Sequence, residues 1–153
     1  MRPYRHTVQY YETDRMGITH HSNYVRWMEE ARIDFMNQLG WNYERFEAEG
    51  VVSPVTTVEC RYKSSTTFPE TISIQVSVES MRGVRLRLNY RMTNESGKTV
   101  CEAASEHCFI GQDGRILRME RAYPEFYRAL AELAENAEKA ESAADRAEGS
   151  AEA

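Results

Sequence analysis

Residues 10–40 read YYETDRMGITHHSNYVRWMEEARIDFMNQLG, and the change of pattern inside this stretch decides the fold. Through Glu12 the residues favour extended chain; "TDRMG" then breaks the pattern. From Asn23 to Leu39 the apolar side chains Tyr24, Trp27, Met28, Ala31, Phe35 and Leu39 recur at spacings of three or four, which is one stripe along a helix. Ser22 reads as the N-cap, and Gly40 suits the position just past the end. At about 1.5 Å per residue such a helix is roughly 25 Å long, enough to cross a small sheet.

Working outward, "YRHTVQYYE" (4–12) predicts a strand before the break, and "WNYERFEAEG" (41–50) a short second helix or an irregular connection. Four strand-like stretches follow. "SPVTTVECRYK" places Val58, Cys60 and Tyr62 on one face. "TISIQVSVES" alternates Ile72, Ile74, Val76 and Val78 with Ser73, Gln75 and Ser77. "VRLRLNYRM" sets Val84, Leu86, Leu88, Tyr90 and Met92 against Arg85, Arg87 and Arg91. "KTVCEAASEHCFI" groups Cys101, Ala103, His107 and Phe109 away from Glu102 and Glu106. Strict alternation means one buried and one polar face. Turn residues separate the stretches at 82–83, 94–98 and 111–114. One long helix and a meander of antiparallel strands bury each other's apolar faces, an α+β two-layer fold. A last amphipathic helix is predicted from Tyr123 or Pro124, with Phe126, Tyr127, Leu130 and Leu133 inward. The expected domain is 1–135, and 136–153 is an Ala/Glu-rich tail expected as frayed helix or disorder.

Charge separates the two parts. Of 24 acids and 19 bases, seven acids and two bases fall in residues 131–153, leaving 17 of each in the body. A neutral body argues against nucleic acid as a partner, which needs a dominating positive field. No signal peptide, long apolar run or lipidation pattern points to export or a membrane. Cys60, Cys101 and Cys108 have neither metal-ligand spacing nor an even count, so they read as reduced thiols of a cytoplasmic protein.

Asp14 is the residue with chemical promise. An aspartate in a turn ordinarily bonds the backbone two residues on. Here, however, Gly17 lets the chain turn sharply before it enters the helix near His21–Asn23. The first amides of a helix have no intrahelical acceptor. A loop folded back on that end sets a carboxylate beside free N–H donors, the pair that acyl transfer needs. The adjacent His20 and His21 make a poor metal site, because neighbouring side chains splay apart and no third ligand is evident. Ser64, Ser65 and Thr66 lack a recognisable His and Asp partner for nucleophilic work. Glu29 and Arg32 read most simply as a helix-surface ion pair, and His107 as a satisfied core or interface histidine.

The stretch "YYETDRMGITHHSNYVRWMEEAR" resembles the signature of the hotdog-fold acyl-CoA thioesterases. The likeness is greatest to the 4-hydroxybenzoyl-CoA thioesterase-like branch that includes the thioesterase of the Tol–Pal gene cluster. Asp14, Gly17, His21, Tyr24, Glu29 and Arg32 stand at the matching places. The likeness runs on through "CRYKSSTTFPETISI" and "ASEHCFIGQDGRILRM", covering about residues 4–120. It implies a hotdog fold, a curved sheet wrapped around one long central helix, in an obligate dimer or a tetramer with sites between subunits. It implies hydrolysis of an acyl-CoA or acyl carrier protein thioester without a cofactor. Asp14 would be nucleophile or general base, the backbone around His21 would polarise the carbonyl, and the His21 side chain would have a supporting role. Gly17 and Tyr24 are candidate substrate contacts, and Lys63, Arg82 and Arg85 candidate cations for the coenzyme A phosphates. Glu29 is the reserve carboxylate. His20 and the "RMG" turn depart from the family pattern and bear on substrate choice. The competing readings are a non-catalytic acyl-CoA sensor or scaffold, and a hotdog hydratase or dehydratase. The latter is disfavoured because "DRMGITHH" lacks the Asn-Pro of those enzymes.

Overall fold

Alternation in the middle of the chain builds the sheet. In the computed structural model, which describes residues 1–151, β1 (Tyr4–Thr7), β2 (Val55–Tyr62), β3 (Thr71–Arg82), β4 (Arg85–Thr93) and β5 (Thr99–His107) form one antiparallel sheet ordered β1-β3-β4-β5-β2. Ile72, Ile74, Val76 and Val78 of β3 are buried, and across the β3–β4 register Ile74, Val76 and Val78 meet Met92, Tyr90 and Leu88 of β4. Against this face lies α1 (Ser22–Gln38), whose stripe of Tyr24, Trp27, Met28, Ala31, Phe35 and Met36 is buried. The α+β class and the sheet packed on a long helix are therefore as the patterning predicts.

Two short helices and one long helix close the barrel of side chains. In α2 (Tyr43–Ala48) the Asn42 side chain caps the start by accepting the Arg45 amide at 2.9 Å. After α3 (Met119–Ala122), Pro124 opens α4 (Pro124–Ala151), a position where its missing N–H costs nothing. Phe126 and Leu130 of α4 are fully buried, with Tyr127 and Leu133 partly so. Phe126 stands 5.1 Å from Phe46, 5.7 Å from Phe109 and 5.4 Å from Trp41, ring centre to ring centre, an aromatic cluster at one end of the core. From residue 136 α4 continues as helix to Ala151 with its side chains exposed, apart from Ala137. Residues 152 and 153 of the expected tail lie outside the described residues.

Three local expectations change. Tyr10–Glu12 is a 3-10 turn, because the Glu12 carboxylate folds back to accept the Gln9 amide at 2.8 Å and draws the chain out of the sheet. Ser22 does not cap α1; the cap position is His21, and the Ser22 amide donates to Nδ1 of His20 at 3.2 Å. Arg32 forms no ion pair with Glu29: it is buried, donating to the Tyr43 hydroxyl at 3.0 Å and the Tyr90 hydroxyl at 3.3 Å. Among the described residues its acceptors are these two tyrosine oxygens.

The sheet edges differ. β1 pairs only Thr71–Ile74 of β3, and α4 runs beside the remainder of that strand, Ala134 and Ala137 flanking a hollow with Val78 and Ser80. β2 pairs β5 on one side, and Val55, Val58 and Tyr62 are exposed on it, as are Val25 and Ile33 of α1. Among the described residues no helix is long and apolar enough to cross a membrane.

Candidate active site

The loop after the 3-10 turn is a small closed tab. Thr13 and Thr19 bridge its ends, the Asp14 amide donates to the Ile18 carbonyl at 2.8 Å, and the Gly17 amide donates to the Asp14 carbonyl at 3.0 Å. Gly17 supplies the positive φ of 80° that this closure needs. The tab is tied to the segment before β3: Thr67 Oγ1 donates to the Gly17 carbonyl at 2.6 Å, and the Thr19 amide donates to the Thr66 carbonyl at 2.8 Å.

Asp14 is half-buried, and its two oxygens are unequal. Oδ1 accepts the Met16 amide at 2.8 Å, the ordinary turn bond of an aspartate. Oδ2 has no hydrogen-bond partner among the described residues, and Asp14 lines a cleft of about 370 Å³ with Met16, Ile18, His21, Tyr24 and Tyr62. So one oxygen of the carboxylate holds the turn and the other is left uncommitted. His21, at the start of α1, lines the same cleft. Its carbonyl accepts the Tyr62 hydroxyl at 3.0 Å, while its amide has no acceptor among the described residues. The arrangement offers a carboxylate oxygen and an uncommitted N–H at one helix N-terminus, suited to charge developing on a carbonyl oxygen.

The other predicted residues sort by position. Tyr24 is a buried wall: its hydroxyl shares a hydrogen bond with Thr66 Oγ1 at 2.9 Å, and burial raises its pKa, the Thr66 bond only partly opposing this. Lys63 is exposed on the cleft rim. Arg82 and Arg85 face each other across the β3–β4 turn, and Arg82 lines the hollow beneath α4; neither lines the Asp14 cleft. Glu29 is exposed on α1 and lines a separate hollow with Ile33 and Val52. Glu12 went unsingled in sequence reading, yet its side chain is the most heavily bonded beside the site. Its one sequence signal is an acid placed directly before the turn at the end of a β-favouring stretch.

His107 corrects the expectation of a fully satisfied histidine. Nε2 shares a 2.7 Å bond with Ser105 Oγ, which shares another of 2.7 Å with the Tyr90 hydroxyl, but the buried Nδ1 has no partner among the described residues. Burial, reinforced by the Arg32 charge, lowers its pKa to about 4. The unfolded chain takes up this proton near the ordinary value of about 6.5. Stability is therefore whole above that value and falls as pH drops toward 4, by about 3 kcal/mol from this group. Urea unfolding followed from pH 7 to pH 4 is expected to show that loss, and His107→Gln to flatten it; an equal slope in both proteins would refute the assignment.

A model of the thioesterase-like superfamily matches residues 8–141. The chain is 32% identical over 123 residues to a Bacillus subtilis protein named "Putative acyl-CoA thioesterase YneP", covering 80% of this chain and 89% of that one. It is 27% identical to a Thermosynechococcus vestitus protein named 1,4-dihydroxy-2-naphthoyl-CoA hydrolase, covering 70% of this chain and 74% of that one. Among solved structures, a DHNA-CoA thioesterase from Staphylococcus aureus superposes with a TM-score of 0.80 at 32% identity, covering 84% of this chain and 87% of that one.

Proposed function

The chain belongs to the thioesterase-like superfamily and is a thioester hydrolase, and from that premise we propose that it cleaves acyl-CoA with Asp14 as the reacting carboxylate. The observation that carries this reading is the free Oδ2 of Asp14 in one cleft with His21, whose amide is uncommitted. The thioester carbonyl lies between them. Asp14 either adds to the carbonyl carbon, expelling the coenzyme A thiolate and leaving a mixed anhydride that water then hydrolyses, or takes a proton from a water that attacks the carbonyl itself. Both routes put negative charge on the carbonyl oxygen, where the His21 N–H donates, and both release the coenzyme A thiol and the free acid. Met16, Ile18, Tyr24 and Tyr62 form the walls for the acyl group, and Lys63 at the rim is the cation for the coenzyme's phosphates.

The working form in this reading is a dimer. The unpaired edge of β2 and the exposed Val55, Val58, Val25 and Ile33 make a continuous face for a second copy, which would close the open side of the cleft. Release of free thiol from a panel of aliphatic and aromatic acyl-CoAs tests the activity. The panel includes 1,4-dihydroxy-2-naphthoyl-CoA, for which two relatives are named. Turnover of at least one panel member is expected; tight binding of acyl-CoA with no thiol released over hours would replace hydrolysis with a sensor function.

A further inference from the structure

We propose that Glu12 is a positioning residue for this reaction: its buried carboxylate fixes the Asp14 tab against the start of α1. The inference rests on the Asp14 reading above. Glu12 is only 4% exposed and does not line the cleft, so it touches no substrate. Its carboxylate is nonetheless held from three elements. Oε2 accepts the Trp27 indole N–H of α1 at 2.6 Å; Oε1 accepts the Gln9 amide at 2.8 Å and bonds Nε2 of His6 of β1 at 2.7 Å.

The backbone of the same residue holds the helix entry. The Glu12 carbonyl accepts the His20 amide at 2.8 Å and the Asn23 side-chain amide at 3.0 Å. Glu12 thus meets both ends of the tab: Asp14 follows it by two residues, and His20, the residue before the uncommitted His21 amide, hangs from its carbonyl. Shifting Glu12 moves the carboxylate oxygen and the N–H donor relative to one another, and acyl transfer depends steeply on that spacing.

The charge of Glu12 is part of the device. Burial alone would raise its pKa, but the Gln9 amide, His6 and the Trp27 indole together hold it below the ordinary glutamate range. The other side of His6 faces a second acid: Nδ1 bonds Glu30 Oε2 at 3.1 Å, and the Tyr4 hydroxyl donates to the same oxygen at 3.0 Å. Glu12 stays ionised across the neutral range, and its contribution is lost only as pH falls through its lowered value.

The chain has two tryptophans, Trp27 and Trp41, so the indole N–H region of an NMR spectrum reports the Trp27–Glu12 bond directly. In Glu12→Gln the Trp27 indole proton is expected to move upfield as the charged acceptor is lost. Turnover at saturating acyl-CoA should fall about 10- to 100-fold with KM changed less than about threefold. Glu12→Asp, which keeps the charge on a shorter arm, should recover part of kcat. If the Gln variant does not fold, the same readings on Glu12→Asp, a smaller kcat loss at unchanged KM, decide the matter. A folded Glu12→Gln protein with the indole shifted and kcat within about twofold of the parent would overturn the proposal. Asp14→Asn, run alongside, keeps the indole signal in place. Full turnover in Asp14→Asn removes the Asp14 reading itself, whereas an inactive Asp14→Asn beside a fast Glu12→Gln removes only the positioning role.

Discussion

Replacing Asp14 by asparagine is expected to cut thioester turnover about 10²- to 10⁴-fold while leaving the fold and its melting unchanged. The division of labour in the carboxylate makes asparagine the sharp probe. Oδ1, which accepts the Met16 amide, has a counterpart in the asparagine carbonyl, so the tab keeps its turn bond. Only Oδ2, the oxygen with no partner among the described residues, becomes an N–H₂ that neither attacks a carbonyl nor takes a proton from water. Asp14→Ala should lose the same activity and about 1 kcal/mol of stability besides, because the Met16 amide is left without its acceptor. Thiol release under saturating acyl-CoA, with circular dichroism on the same samples, checks both statements. Unchanged rates in both folded variants would end the assignment. Loss of activity in Glu29→Gln with Asp14 variants still active would move the chemistry to α1.

The largest effect on stability is expected at Phe126. Truncation to alanine should cost about 3–5 kcal/mol, since the ring is fully buried and the site cannot collapse around the void. Its neighbours Trp41 and Phe46 come from one stretch of chain and Phe109 from another, so no single segment can move in to fill the space. The loss should fall on docking of α4 first, and with it on the cover over β3. Chemical denaturation of Phe126→Ala against the parent measures it. A midpoint change worth less than about 1 kcal/mol would mean that the aromatic cluster contributes little.

How much of this was legible beforehand depends on the range of the interaction involved. The strands and α1 were readable because a period of two or of three to four is a property of neighbouring residues, and burial of one face follows from it. The end of β1 was misread because Glu12 bends the chain through a bond to Gln9 and through contacts with His6 and Trp27, which no local pattern displays. Arg32 looked like half of a surface pair for the same reason: its partners Tyr43 and Tyr90 lie on other elements. At the site, the glycine turn and helix entry marked Asp14 and His21 as neighbours. That the tab would be anchored by Glu12 on one side and by Thr66 and Thr67 on the other required the folded backbone.

The unequal edges of the sheet set how far the chain can associate. A sheet open at both ends can add copies without limit, which is the geometry of a filament. Here one end is a four-residue strand with α4 alongside the rest of β3, and only β2 offers a long free ladder. In the dimer proposed above, this gives the molecule a valence of one for strand addition. Two copies joined through β2 consume each other's free hydrogen-bonding groups, and growth by that route stops at a pair.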